Sequence, residues 1–319
     1  MVVEAVLSHR PSNSNRIAIG YAVSRDSILA VRSYPVSPGE APAMQRTREQ
    51  WGRLLRSRGI QPARSMGQNF LVEPEVVSRI AVAARIVPGT LVVEVGPGLG
   101  ILTRELLDRG AQVIAIELDR ELKAFLEQDL AHVDKLTLVE RDARHVDVEA
   151  LVNGAPYQVV ANLPYSTGTV IVRRFLDLDH PPTTMTVMVQ REVAERMIAT
   201  APNVSLLSLA TQLYAEPELV FLVPAEVFLP PPKVDSAVVR LTLRTSPLAS
   251  PIEREQLFQL ATAAFQRKRK TIGNGLSQGL NRTKSDVNHL LEGSGIDPTR
   301  RPQAITLEEW IRLAKALAE

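Results

Sequence analysis

The chain has 319 residues, 45% of them hydrophobic and 23% charged, the composition of a globular protein with room for one medium domain and a smaller one. It contains no cysteine, which excludes disulfides, thiolate nucleophiles and cysteine-ligated zinc, and no apolar run approaches the roughly 20 residues of a membrane span. The net charge is only +2, but it is unevenly placed, with two basic clusters on either side of an enzyme-like core.

Residues 1–43 include RPSNSNR and YPVSPGEAPA and hold no sustained period, so they read as a disordered or loosely attached extension. They are poor in acids, in the manner of an organelle transit peptide, and Met44 is an alternative start. Between Gln45 and Met66, Arg46, Arg48, Arg53, Arg56, Arg58 and Arg64 stand against Glu49 alone. From about residue 73 helix and strand alternate. PEVVSRIAVAARI has helical spacing, TLVVEVG is a β-branched strand, LTRELLDRG is a helix closed by Gly110, QVIAIELD is a strand and RELKAFLEQDLA a helix. LTLVERD and YQVVANLP are the third and fourth strands, a helix near VIVRRFLDL leads to the fifth, TMTVMVQ, and ELVFLVP and AVVRLTLR follow two further helices. This order predicts an α/β fold, a parallel sheet covered by helices on both faces, with ligands at the carboxyl ends of the strands. After the PLASP linker, EREQLFQLATAAFQRKRKTI, SDVNHLLEGSG and TLEEWIRLAKALAE are all helical in period. The expected division is an extension over 1–43, a main domain over 44–248 and a small all-helical domain over 249–319.

The chemistry-bearing residues sit at the predicted strand ends. Gly96, Gly98 and Gly100 follow the first strand in G-x-G-x-G spacing; they permit a tight turn against a ligand but not the G-x-G-x-x-G of a dinucleotide fingerprint. Glu117 ends the second strand, where a carboxylate can accept both hydroxyls of a ribose, and Asp142 ends the third, within reach of an adenine amine. One acid at a strand end is usually a solvated residue or a helix cap; successive ones indicate an adenosine-containing ligand. Asn162, Leu163, Pro164 and Tyr165 then leave the fourth strand as NLPY. The Asn162 amide oxygen and the Leu163 carbonyl can accept from an exocyclic amine, Pro164 fixes the backbone between them, and Tyr165 offers a face for base stacking. The five histidines are scattered without ligand spacing, so no metal is expected.

With these residues in place, the sequence resembles the ribosomal RNA adenine N6-dimethyltransferases of the small-subunit, KsgA/RsmA type, over about residues 50–319. The matching segments are GQNFL (67–71), VVEVGPGLGILT (92–103), VIAIELD (113–119), NLPY, VMVQREVAERM (187–197), VFLPPPKVDSAVV (227–239), AFQRKRKTI (264–272) and GIDPTRRPQAIT (295–306). The resemblance implies a Rossmann-like class I methyltransferase fold, a mostly parallel seven-stranded sheet with its last strand antiparallel, and an RNA-binding helical C-terminal domain. It implies dimethylation of two adjacent adenines in a hairpin near the 3′ end of small-subunit (16S) rRNA, by a cytoplasmic monomer acting on the immature small subunit. S-adenosylmethionine would be held by Asn69, Leu71, Gly96, Glu117 and Asp142, with Asn162 between cofactor and base and Gln68 orienting the segment. Tyr165 resembles the stacking aromatic; Phe228 is a candidate for the opposite face of the base, or else a core aromatic. Arg267, Lys268, Arg269 and Lys270 and the 45–66 stretch would meet phosphates. The chain departs from the family pattern at Ser166-Thr167-Gly168, where Asn-Ile-Ser is usual. The competing readings are an enzyme of the antibiotic-resistance Erm type acting on large-subunit RNA, which typically has Asn-Ile-Pro-Tyr, and a non-catalytic RNA-binding assembly factor.

Overall fold

The computed structural model of the chain describes residues 46–60, 62, 68–130, 133–267 and 269–318, all within one structural unit. The expected extension over 1–43 lies outside the described residues, as do Met44, Arg64, Met66, Gly67 and Lys268.

Two elements come first that periodicity does not announce. Helix α1 (Arg48–Ser57) opens on a capping box in which the Thr47 side chain accepts from Gln50 N and the Gln50 side chain accepts from Thr47 N. It buries Trp51 and Leu55 in a cluster with Phe70, Val72, Leu99, Leu122, Phe125, Leu126 and Leu130. Strand β1 is only Phe70–Leu71. The alternation then runs as expected: α2 (Pro74–Ala83), β2 (Leu91–Val95), α3 (Ile101–Asp108), β3 (Gln112–Glu117), α4 (Arg120–Asp129), β4 (Leu136–Glu140), a short α5 (Val148–Val152), β5 (Gln158–Asn162), α6 (Gly168–Leu176), β6 (Thr184–Gln190), α7 (Arg191–Ile198), α8 (Leu206–Gln212) and β7 (Ala215–Val223). Strand β8 (Phe228–Leu229) precedes β9 (Ser236–Leu243).

The main sheet has seven strands in the order β4-β3-β2-β5-β6-β9-β7. The pairs among β4, β3, β2, β5 and β6 are parallel, and β9 inserts antiparallel between β6 and β7. The expected Rossmann-like sheet with an antiparallel last strand is therefore present. Because side chains alternate across a strand, Val93, Val95, Val159 and Ala161 enter one buried cluster and Val92, Val113, Val160 and Met188 the other. Neither face is left bare, which is why these strands read as continuous apolar runs.

β1 and β8 form a separate antiparallel ribbon, pairing Phe70 with Leu229 and Leu71 with Phe228. This ribbon clasps the Gln68–Leu71 segment to the loop that leads into β9.

The C-terminal helices are α9 (Pro251–Phe265), α10 (Ile272–Gly279), α11 (Lys284–Gly293) and α12 (Leu307–Ala318). Ser250 caps α9 in a capping box with Glu253. The run from Glu253 to Ile272, which has one continuous period, is broken between Phe265 and Ile272; Thr271 caps a new helix by accepting from Asn274 N. The two helices then pack closely. A Cβ on Gly279 would lie 2.7 Å from Ala263 Cβ, so α10 crosses α9 at a distance that only glycine permits. Trp310 of α12 is fully buried and stacks on Phe265.

Candidate active site

The carboxyl ends of β2, β3 and β5 converge on a cavity of about 300 Å³. Parallel register brings them level: Val95 stands beside Ile116, and Asn162 beside Met188. After Val95 the chain turns through Gly96, Gly98 and Gly100, all with positive φ. At Gly98 a Cβ would lie 3.1 Å from the Phe70 ring, and at Gly100 only 2.5 Å from Leu126 Cδ2, so the turn is drawn tightly against β1 and α4. Gly100 then starts α3.

Glu117 ends β3 and is almost wholly buried. Gly98 N donates to its Oε2 at 3.1 Å and Asp119 N to its Oε1 at 2.9 Å. Burial raises its pKa, and these two backbone donors oppose the rise. Asp119 caps α4 and also accepts from Gln68 Nε2 at 3.1 Å, which fits Gln68 as a residue that orients its segment. Asn69 and Leu71 line the cavity from the same segment.

At β5, Asn162 Nδ2 donates to the Asn69 carbonyl at 3.3 Å. With its nitrogen engaged, the side chain has Oδ1, an acceptor, left for a ligand. Leu163 N donates to Met188 O, and the Leu163 side chain is buried, while no described residue donates to its carbonyl oxygen. The Pro164 carbonyl accepts from Thr167 N at 3.2 Å and from Gly168 N at 2.8 Å, turning the chain directly into α6. Gly168 is closely packed, since a Cβ there would lie 3.2 Å from Leu163 Cβ. Tyr165, Ser166 and Thr167 complete this wall, and the Tyr165 hydroxyl is 2.7 Å from Ser236 Oγ.

The structure therefore brings together Asn69, Leu71, Gly96, Glu117, Asn162, Leu163, Pro164 and Tyr165. Two of the residues expected from sequence do not themselves line the cavity. Phe228 is fully buried in the core cluster with Leu71 and Val238, and its ring does not line the cavity. At the end of β4 the cavity wall is Arg144 rather than Asp142. Arg144 holds both Asp142 oxygens through Nε, Nη2 and its backbone N, at 2.6–3.0 Å, and this hydrogen bonding keeps the carboxyl below its usual pKa range.

Two lining residues escape the sequence reading. Leu118 directly follows Glu117 and is 52% exposed although large and apolar, a face available to a flat ligand. Glu94 lies inside β2, fully buried, with Oε2 lacking a hydrogen-bond partner among the described residues. Burial pushes its carboxyl up to about 8. The available signal is an acid in the middle of the apolar run VVEV, since an unpaired buried carboxylate is costly and such sites concentrate where ligands bind. An orphaned acidic oxygen beside a left-handed glycine turn, with a ribose-type acceptor at Glu117, fits an adenosine derivative bearing a cationic arm.

Comparison with known proteins agrees with this chemistry. Residues 60–319 match the family model described as ribosomal RNA adenine dimethylase. The chain is 44% identical over 275 residues to a ribosomal RNA small subunit methyltransferase A of Moorella thermoacetica, covering 83% of this chain and 95% of that one. It is 37% identical over 298 residues to the protein of the same description from Dehalococcoides mccartyi, covering 93% and 99%. Among solved structures it is similar to the 23S rRNA methyltransferase ErmE, at 29% identity and TM-score 0.63, covering 79% of this chain and 100% of that one. A dimethyladenosine transferase from Plasmodium falciparum, at 24% identity and TM-score 0.64, covers 76% and 94% and shares the fold.

Proposed function

The chain belongs to the ribosomal RNA adenine dimethylase family, and from that premise we propose that it dimethylates N6 of two adjacent adenines in a hairpin near the 3′ end of small-subunit (16S) rRNA. The donor is S-adenosylmethionine, and the reaction takes place during assembly of the small ribosomal subunit. One observation carries the reading: Asn162 has its amide nitrogen occupied and, among the described residues, its oxygen unused, next to a Leu163 carbonyl that none of them uses, on the wall of a cavity whose floor is Gly96, Gly98 and Glu117.

Glu117 holds the ribose hydroxyls, Gly96 allows close backbone approach, and Asn69 and Leu71 cover the ligand from the clasped segment. Glu94 takes the cationic arm, and Asp142, with Arg144 beside it, takes the adenine end. When bound, S-adenosylmethionine would supply an electrophilic methyl: the N6–C bond would form as the S–C bond breaks, S-adenosylhomocysteine would leave, and the N6 proton would pass to solvent. The amine is a weak nucleophile because its lone pair is delocalised into the ring. Asn162 Oδ1 and the Leu163 carbonyl accept hydrogen bonds from its N–H groups and favour the tetrahedral nitrogen, Pro164 fixes the direction of that carbonyl, and Tyr165 stacks on the base. Rate enhancement then comes from positioning and exclusion of water rather than from a dedicated general base. Phe228 acts as support for the Leu71 strand pair.

Residues 44–248 act as the catalytic domain and 249–319 as the domain that docks on rRNA. Arg53 and Arg56 of α1, and Arg267, Arg269 and Lys270 after α9, are exposed and face phosphates. The chain is read as a monomer that acts in the cytoplasm, where immature subunits are met. The test offers purified protein and labelled S-adenosylmethionine to unmethylated small and large ribosomal subunits separately. Dimethyladenosine is expected in small-subunit rRNA; label confined to the large subunit overturns the assignment.

A further inference from the structure

Tyr165 leaves β5 on a proline-fixed turn, and its ring is tethered at the far end. Its hydroxyl lies 2.7 Å from Ser236 Oγ. Ser236 is the first residue of β9, in register with Gln190 at the end of β6 and Val223 at the end of β7. It is fully buried. Packing alone does not call for a hydroxyl here, since the strand continues as Ala237, Val238 and Val239 and all three are buried. A dry hydroxyl is costly unless it is hydrogen-bonded, and among the described residues the partner of this one is Tyr165. The preceding residue is fixed as well: the Asp235 carbonyl accepts from Arg191 N at 3.0 Å, and its carboxylate accepts from Ala225 N at 3.1 Å. Ser236 is thus a rigid post in the middle of the antiparallel part of the sheet, while the half-buried ring it holds lines the cavity.

We propose that Ser236 is a positioning residue for methyl transfer, holding the Tyr165 ring by its hydroxyl in a single orientation at the cavity wall. A tyrosine ring has only two side-chain torsions to lose, so one hydrogen bond at its tip removes most of its freedom. The target base then meets a platform already in place, and no ordering cost falls on the transition state. The proposal rests on the reading of Tyr165 as the surface on which the adenine stacks.

The test is a double-mutant cycle on the full chain with unmethylated small subunits, using Tyr165→Phe, Ser236→Ala and the double variant, with Tyr165→Ala as the control for stacking. Tyr165→Phe and Ser236→Ala are each expected to lower kcat about three- to tenfold, the worth of one hydrogen bond. The double variant is expected to be no worse than either single one, with affinity for S-adenosylmethionine by calorimetry unchanged. Losses that multiply in the double variant, near-normal kcat in Ser236→Ala, or cofactor affinity falling in step with kcat would overturn the proposal. If Tyr165→Ala is crippled while Ser236→Ala is normal, the stacking role stands and the positioning role is lost. Near-normal kcat in Tyr165→Ala removes both.

Discussion

At Asn162 a carboxamide is committed to one orientation by a single hydrogen bond from its nitrogen to Asn69 O. The residue is only half-buried, so truncating it removes an acceptor without opening a cavity in the core. Asn162→Ala is expected to lower kcat by about 100-fold or more, on the scale of losing one preorganised polar group, with a thermal midpoint close to the parent's; radiolabelled methyl transfer and calorimetry measure the two. Glu94 works in the opposite sense, as a polar group the fold tolerates at a cost. Its buried carboxyl keeps its proton up to about 8, whereas the unfolded chain releases it near 4.5. Between those values the folded state binds the extra proton, so raising the pH favours unfolding. Thermal unfolding of the ligand-free protein is expected to move to lower temperature as pH rises from about 5 to about 8, and Glu94→Gln is expected to flatten that trend. An unchanged slope in that variant would assign the pH response to other groups.

Among the elements, the α9–α10 crossing is the one held by the absence of a side chain. Gly279→Val places atoms where Ala263 Cβ already stands and is expected to cost about 1–3 kcal/mol, as overpacking does, read as a lower urea midpoint. The same crossing shows where sequence patterning stops being informative. A helical period continues across Phe265–Ile272, and the break is marked only by Thr271, which caps the second helix. The seven sheet strands were legible because each is a short run rich in β-branched and aliphatic residues, and the central ones are buried on both sides. The ribbon of β1 and β8 was not, since two residues carry no period and their partners are remote in the chain. Helix α1 was hidden under its arginines, with Trp51 and Leu55 as its buried residues, although Thr47 and Gln50 spell a capping box. At the site, glycine spacing, Glu117 and NLPY could be read directly because each lies where a strand ends. Glu94 was masked by the hydrophobic run around it, Arg144 by the acid it pairs with, and Phe228 could not be told from a core ring without seeing what covers it.

For the molecule as a whole, a net charge of +2 conceals surfaces of strong local sign. Arg53 and Arg56 on α1 are exposed and make no ion pair among the described residues. Replacing both with Ala is expected to reduce the slope of log affinity for small subunits against log salt by about 1–2, while affinity for S-adenosylmethionine is kept; an unchanged slope would place the phosphate contacts elsewhere. The strand order has a separate consequence for how the protein is made. Among the described residues β7 pairs only with β9, and β9 is what joins it to β6. β1 pairs with β8, about 160 residues further along. While the chain is emerging from the ribosome, the Asn69 segment has no clasp until Phe228–Leu229 is made, and β7 has no partner and Tyr165 no tether until Ser236–Leu243 is free to slide between its neighbours. The last strand synthesised thus closes the sheet and the base platform together, just after β8 has supplied the clasp, and a nascent chain acquires its active site only when its catalytic domain is complete.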